Sequence, residues 1–230
     1  MNARTLISAA ALLLPLLVNA ADENRLWGFS LRSVTGLSYA KIEADSLAGV
    51  YFAPTPKVQA VYGPVIGMDA EFLSPWYVGA SIGMRYHRRG QNTATDTVMF
   101  ADNPFPHELR TEMEINYVAV PLYMKAVYMH RHFWTALRAG VYAGLLMSEE
   151  RKWIIDGNEA APGTAYSPHV ETSALDAGVV GGLEIGGRFG RHGIYIAGDY
   201  EVGMRDIEVT LSGEARNRAV MGTVGYRWFF

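Results

Sequence analysis

The 230 residues carry a formal charge of −3, which gives no electrostatic case for a nucleic-acid partner. They contain no Cys, so disulfides and thiolate metal sites are excluded. Half of the residues are hydrophobic, and 24 Gly beside 27 aromatics and only 10 Pro point to many strands joined by turns.

Residues 1–20, "MNARTLISAAALLLPLLVNA", begin with a basic Arg4, continue into an apolar stretch from Ala9 to Val18, and end in small residues before Ala21. That order is the pattern of a cleaved secretory signal peptide. The apolar stretch is short and interrupted by Pro15, unlike a membrane anchor. The expected mature chain, residues 21–230, is long enough for one large domain. No later segment offers 18 uninterrupted apolar residues, so a spanning helix is not expected.

Eight segments alternate between apolar and polar residues with the period of a strand. In "WGFSLRSVTGLSY", Trp27, Phe29, Leu31, Leu37 and Tyr39 oppose Ser30, Arg32 and Ser38. "VIGMDAEF" sets Ile66, Met68, Ala70 and Phe72 against Asp69 and Glu71. "WYVGASIGMRYHRRG" sets Trp76, Val78, Ala80, Ile82, Met84 and Tyr86 against Ser81, Arg85 and His87. "YVAVPLYMKAVY" places Val118, Val120, Leu122, Met124, Ala126 and Tyr128 opposite Tyr117, Tyr123 and Lys125. In "FWTALRAGVYAGLL", Phe133, Leu137, Ala139, Val141, Ala143 and Leu145 face away from Arg138 and Tyr142. "LDAGVVGGLEIGGRF" separates Leu175, Ala177, Val179, Leu183, Ile185 and Phe189 from Asp176, Glu184 and Arg188. "GIYIAGDYEVGM" separates Ile194, Ile196, Tyr200, Val202 and Met204 from Asp199, Glu201 and Arg205. The last segment runs to Phe230, which keeps step with Trp228, Tyr226 and Val224, while Arg227, Gly225 and Thr223 take the other face.

Segments of about ten residues are long enough to cross a bilayer at a tilt. The connections alternate strictly in length. Leu73–Pro75, Met129–Arg131 and Gly190–Arg191 are tight turns, and the links near 41–62, 90–111, 149–171 and 206–215 are long and polar. The fold class expected is all-β: an eight-stranded antiparallel up-and-down transmembrane β-barrel of the bacterial outer membrane, short turns on the periplasmic side. A secreted soluble cup is the alternative that also alternates.

A charge near the middle of a lipid-facing wall costs about 2–4 kcal/mol. The charged parity therefore belongs inside. That assigns the lumen Arg32, Arg85, Lys125, Arg138, Arg188, Arg205 and Arg227, against Asp69, Glu71, Asp176, Glu184, Asp199 and Glu201. Eight strands leave room only for side chains, and near-balance of charge is what pairing in a confined space requires. The expectation is a plugged barrel and no pore.

The stretch "INYVAVPLYMKAVY" resembles the "YLEIPLLLKY" signature of the PorT-like outer-membrane barrel family. The Gly-rich "FWTALRAGVYAGLLMS" and the pair "DAGVVGGLEIGGRF" and "IYIAGDYEVGMRDI" resemble the strands that follow it there. The likeness covers residues 115–230 well and 27–90 in pattern only. Pro121 and Lys125 match, whereas Ala119 stands where the family has Glu. The ending with Tyr226, Trp228 and Phe230 resembles the outer-membrane assembly signal read by the barrel-insertion machinery. The resemblance implies an eight-stranded barrel and, more loosely, assistance to protein secretion. A Pro inside a strand marks an edge or a bulge, so a bulge is expected at Pro121.

The function expected is non-catalytic, structural or exerted through external loops by adhesion or by help to a secretion complex. Partners would be outer-membrane lipid and lipopolysaccharide, the barrel-assembly machinery, and a secretion complex or surface ligand; no cofactor is implied. Three loops each carry an apolar triplet: Val50-Tyr51-Phe52, Val98-Met99-Phe100 and Trp153-Ile154-Ile155. Tyr51, Phe52, Phe100 and Trp153 are the candidate contacts, although the favoured reading of the same triplets is strand extensions or a lid over the barrel mouth. Two other functions compete. A lipid A-modifying enzyme would need a base, a carboxylate and a hydroxyl nucleophile, offered by His169, Glu171 and Ser173 on one parity, but positions four apart lie about 13 Å from each other. A narrow solute channel would need a lumen. His87, Arg88 and Arg89 suggest a rim for lipopolysaccharide phosphates, and His130 with His132 a weak metal pair.

Overall fold

The computed structural model describes residues 28–44, 57–100, 103–159, 172–206 and 215–230. The expected signal peptide, Trp27, Val50-Tyr51-Phe52, His169 and Glu171 lie outside the described residues. Among the described residues nine strands follow one another: β1 Gly28–Ala44, β2 Lys57–Leu73, β3 Val78–Phe100, β4 Asn103–His130, β5 Phe133–Ile155, the two-residue β6 Asn158–Glu159, β7 Leu175–Phe189, β8 His192–Gly203 and β9 Ala215–Phe229. Each of the eight long strands pairs antiparallel with its neighbours, and β9 returns to β1, with Ser30 opposite Phe229 and Ala44 opposite Ala215. The sheet is therefore a closed cylinder without edges over its common height.

Alternation of burial follows the sequence pattern strand by strand. On β8, Gly193, Tyr195, Ala197, Asp199 and Glu201 are buried, whereas Ile194, Ile196 and Tyr200 are exposed. Apolar side chains on the outside and charged ones inside invert the usual protein, which only an apolar solvent makes favourable. The strands join through tight turns at one end: Ser74–Tyr77, Arg131–His132 and Gly190–Arg191. Arg131 (φ 53°) and Gly190 (φ 63°) take left-handed backbone there, the conformation two-residue hairpins of the favoured twist demand.

Two rings of aromatics mark the height of the apolar wall. Near the turn end stand Phe29, Phe72, Tyr128, Phe133, Phe189 and Trp228; near the loop end stand Tyr39, Tyr62, Tyr86 and Tyr200. The Tyr39 and Tyr62 rings lie 4.9 Å apart, as do Phe29 and Phe72. From Phe29 to Tyr39 is ten residues, about 33 Å of strand, and a tilt of about 40° shortens this to roughly 25 Å. That is the height of an outer-membrane apolar band.

Several sequence expectations need correction. The 90–111 link is not a loop: β3 runs on to Phe100 and β4 starts at Asn103, with Asn92 opposite Glu112 and Thr95 opposite Leu109. The polarity that read as a loop belongs to strands that have left the apolar wall. Two of the apolar triplets follow the strand-extension reading: Val98-Met99-Phe100 is strand backbone and Trp153-Ile154-Ile155 is the end of β5, Trp153 lying opposite Thr111. Trp76 sits in the turn before β3, 88% exposed, and is no strand residue. Pro121 carries no bulge; it is opposite Tyr142 in an unbroken β4–β5 register, and the irregularity lies at Asn116/Tyr117. On its other side the β3–β4 ladder is interrupted between the pairs Ile82↔Leu122 and Arg85↔Ala119, where the missing Pro N–H falls.

Candidate functional site: an ion-filled lumen

Twelve of the thirteen charges assigned to the interior are buried: Arg32, Asp69, Glu71, Arg85, Lys125, Arg138, Asp176, Glu184, Arg188, Asp199, Glu201 and Arg227. Arg205 is the exception. It lies exposed beyond the end of β8, because the strand ends at Gly203 and the alternation ends with it. Arg89, expected on a rim, is buried instead and restores the count to seven cations and six anions among the described residues. His87 is likewise buried, between Arg85 and Arg89 on the same inward row, so the phosphate-binding rim is withdrawn for both. The signal for Arg89 was its parity with Arg85, which the adjacent "RR" obscured.

The charges form three tiers. Nearest the turn end, Glu71 Oε2 accepts Arg32 Nη1 at 3.1 Å, Lys125 Nζ at 2.5 Å and Arg227 Nη2 at 3.0 Å. Glu184 accepts Lys125 at 3.0 Å, Arg227 at 2.7 Å, Arg138 at 3.3 Å and the Trp134 indole N–H at 2.9 Å. Arg32 also pairs with Glu184 at 2.8 Å. In the middle tier, Arg85 grips Asp69 with two donors, at 2.8 and 3.3 Å, and Arg138 grips Asp199 at 2.7 and 2.5 Å. The Tyr123 hydroxyl lies between them, accepting Arg85 Nη1 at 3.0 Å. In the third tier Arg89 bonds to both Asp176 and Glu201 and, at 3.2 Å, to the Tyr142 hydroxyl; Asn217 donates to Asp176 at 2.9 Å.

Aromatic rings insulate these tiers. Arg32 stacks over Tyr195 at 4.2 Å, Arg227 over Trp134 at 4.9 Å, Arg89 over Tyr142 at 4.7 Å and Arg188 over Phe229 at 4.7 Å. Below, Leu73, Trp134, Tyr195 and Phe229 make an apolar floor. Above, Ile42, Met113, Ile115 and Tyr117 pack into a lid within the barrel wall.

Two contacts decide what the lumen permits. β3 and β8 face each other across the ring, four strands apart either way round. Arg85 on β3 nevertheless reaches Asp199 on β8 at 3.3 Å, and Arg89 on β3 bonds to Glu201 on β8. Side chains thus meet across the full diameter, and the interior is occluded. Each of the six lumen carboxylates is engaged by at least one cation.

The competing sites fare differently. Ser173 is buried, its hydroxyl donating to Leu175 O at 2.9 Å, whereas Leu175 is exposed. The chain is not yet strand at Ser173, so the outward parity expected of that residue does not hold. His130 ends β4 and His132 lies in the β4–β5 turn, both exposed; among the described residues no cluster of three metal-ligating side chains occurs. Tyr226, Trp228 and Phe230 all face outward, Trp228 and Phe230 stacked at 5.9 Å.

Comparison with solved structures agrees with this geometry. The outer membrane protein OprG from Pseudomonas aeruginosa aligns over 90% of this chain and 98% of its own, at 11% identity and a TM-score of 0.54. The fold is that of an outer-membrane β-barrel. Neisserial surface protein A matches over 88% of this chain and 97% of its own, at 10% identity and a TM-score of 0.46. The Escherichia coli outer membrane protease OmpT matches over 88% and 96%, at 12% identity and the same TM-score. No family model and no curated relative matches the sequence.

Proposed function

We propose that the protein is a non-catalytic integral barrel of the bacterial outer membrane, closed to solutes, which acts by presenting its loop end to the outside. The observation that carries this is the pair of contacts across the diameter, Arg85–Asp199 and Arg89–Glu201, between an apolar floor and an apolar lid. A passage would require charges to separate that the low-dielectric wall holds together. The part offered to partners is the continuation of β3, β4 and β5 beyond the aromatic ring, a three-stranded projection ending near Phe100, Asn103 and Ile155. Adhesion or assistance to a secretion complex fits such a projection, and the resemblance of residues 115–230 to PorT-like barrels favours the second. Planar-bilayer recording of the refolded chain tests the closed state: absence of steady current is expected, and sustained open-channel conductance would refute it. A pull-down from outer membranes, comparing the whole chain with one in which Asn92–Thr111 is replaced by a short turn, tests the projection; co-purified partners should be lost with it.

A further inference from the structure

The turn end of the cylinder is charged on one side only. There β4, β5, β7 and β8 stand side by side, so their two turns lie within about 14 Å, three strand spacings. Arg188 N donates to His132 O at 2.7 Å and joins one turn to the other. Together the turns expose His130, Arg131, His132 and Arg191. No acid occurs from Tyr117 to Ser148 or from Ile185 to Gly198, and among the described residues neither Arg131 nor Arg191 forms an ion pair. Two neighbours are already engaged: Arg188 Nε donates to Gly190 O at 2.6 Å, and His192 Nδ1 bonds to the Tyr226 hydroxyl. The third turn, Ser74–Tyr77, carries no charge. Towards the loop end, by contrast, Arg88 meets Glu114 at 3.0 Å, Arg110 meets Glu112 at 2.8 Å and Lys152 meets Glu150 at 2.7 Å.

The backbone singles out one of these charges. Both turns are two residues long with left-handed backbone at the first, Gly190 (φ 63°) in one and Arg131 (φ 53°) in the other. Glycine or asparagine suits that position. Arg131 occupies it against the local preference, the mark of a residue held for something other than folding. On the membrane side of the turns, Phe133 and Phe189 are exposed on the lipid-facing wall. They converge on Gly187, where an added side chain would meet each ring at 3.7 Å. Trp76, beside β4, and Trp228, opposite His192, flank the sector, and such residues seat a barrel at headgroup level.

We propose that this sector binds an anionic phospholipid of the inner leaflet, its phosphate held by Arg131 and Arg191 and its acyl chains lying against Phe133 and Phe189. His130 and His132 supply further donors. Guanidinium groups suit phosphate because they offer two donors at once, and an amphiphile satisfies the cationic and the apolar half together. Cardiolipin, with two phosphates, engages both arginines and binds tightest. The inference rests on the barrel spanning the membrane with its turns on the periplasmic side, but not on the lumen being closed, since none of these side chains enters it.

Native mass spectrometry of the full refolded chain in detergent is the test, with phosphatidylglycerol, cardiolipin and phosphatidylcholine of one acyl composition as probes. Phosphatidylglycerol should be retained about tenfold better than phosphatidylcholine, and cardiolipin better still. Arg131→Gln with Arg191→Gln should abolish the preference for phosphatidylglycerol. Arg131→Gly removes a charge while relaxing the turn; it should weaken that preference severalfold in a chain that keeps its heat-resistant gel mobility, and it replaces the double variant if that one fails to fold. Arg88→Gln, at the other end of the cylinder, should leave the preference unchanged. Equal retention of phosphatidylglycerol and phosphatidylcholine, or a preference that survives the turn variants, would overturn the assignment. So would displacement of the lipid by glycerol 3-phosphate, which would reduce the sector to a bare phosphate site. Bilayer conductance is unaffected by these variants, so failure here and failure of the closed-lumen reading are distinguishable.

Discussion

The cylinder and its projection are made from the same strands, yet they obey opposite rules. Within the apolar wall β3 shows Ile82, Met84 and Tyr86 to the outside and keeps Ser81, Arg85, His87 and Arg89 within. Past Tyr86 the outward positions become Arg88 on β3, Glu112, Glu114 and Asn116 on β4, and Ser148, Glu150 and Lys152 on β5, while Met113, Ile115 and Tyr117 on β4 are buried. The exchange occurs at a row of hydrogen bonds, Tyr86 to Asn116 at 2.9 Å and Asn116 to Ser148 at 3.0 Å. A strand does not change its pleat there; its surroundings change, from hydrocarbon to water. Outward polarity therefore marks the bilayer boundary more sharply than strand length does.

The largest effect should come from the centre of the ion network. Glu184 touches four cations and an indole N–H, so Glu184→Gln leaves buried charge uncompensated, at about 3–5 kcal/mol. Urea unfolding in lipid vesicles should show a correspondingly lower midpoint. Slightly smaller is the penalty for a charge on the wall: Ile196, exposed at mid-height, replaced by Lys should cost about 2–4 kcal/mol in the same assay. Either substitution giving less than about 0.5 kcal/mol would erase the contrast between wall and interior. On the projection the same kind of change should be nearly silent, because water screens exposed pairs. Lys152→Gln, which breaks the 2.7 Å pair with Glu150, should stay within about 0.5 kcal/mol.

The smallest expected effect is a pH dependence at the tip of the projection. Asp156 accepts from Glu108 N at 2.9 Å and lies 2.6 Å from His107 Nδ1, and the hydrogen bond with His107 holds its carboxyl below the usual aspartate range. A depressed carboxyl contributes order above its unfolded pKa and loses it as pH falls through the folded one. Amide exchange at Glu108 should thus quicken below the ordinary aspartate range relative to the cylinder, and Asp156→Asn should remove that dependence.

Most of this architecture was legible because a strand's period of two needs only local residues. The parity of Arg32, Glu71 or Asp199 follows from neighbours one and two positions away. What was hidden is where periodicity stops. Arg205 and Ser173 keep step in sequence but lie just outside β8 and β7, where the alternation no longer binds. The projection was misread for a related reason: outward polar residues such as Glu112 and Lys152 look like loop when a lipid-facing wall is assumed. Pairing across the ring was equally illegible. Nothing local joins Arg89 to Glu201, whose meeting depends on barrel closure and the stagger of all eight strands.

The inversion itself can be measured along β8, since the chain has no cysteine of its own. Single cysteines at Ile194, Ile196 and Tyr200, and at Gly193 and Ala197, would each carry a fluorophore in vesicles containing a lipid-borne quencher. The account predicts strong quenching at the first three and little at the other two. Uniform quenching along the strand, or the opposite alternation, would contradict it.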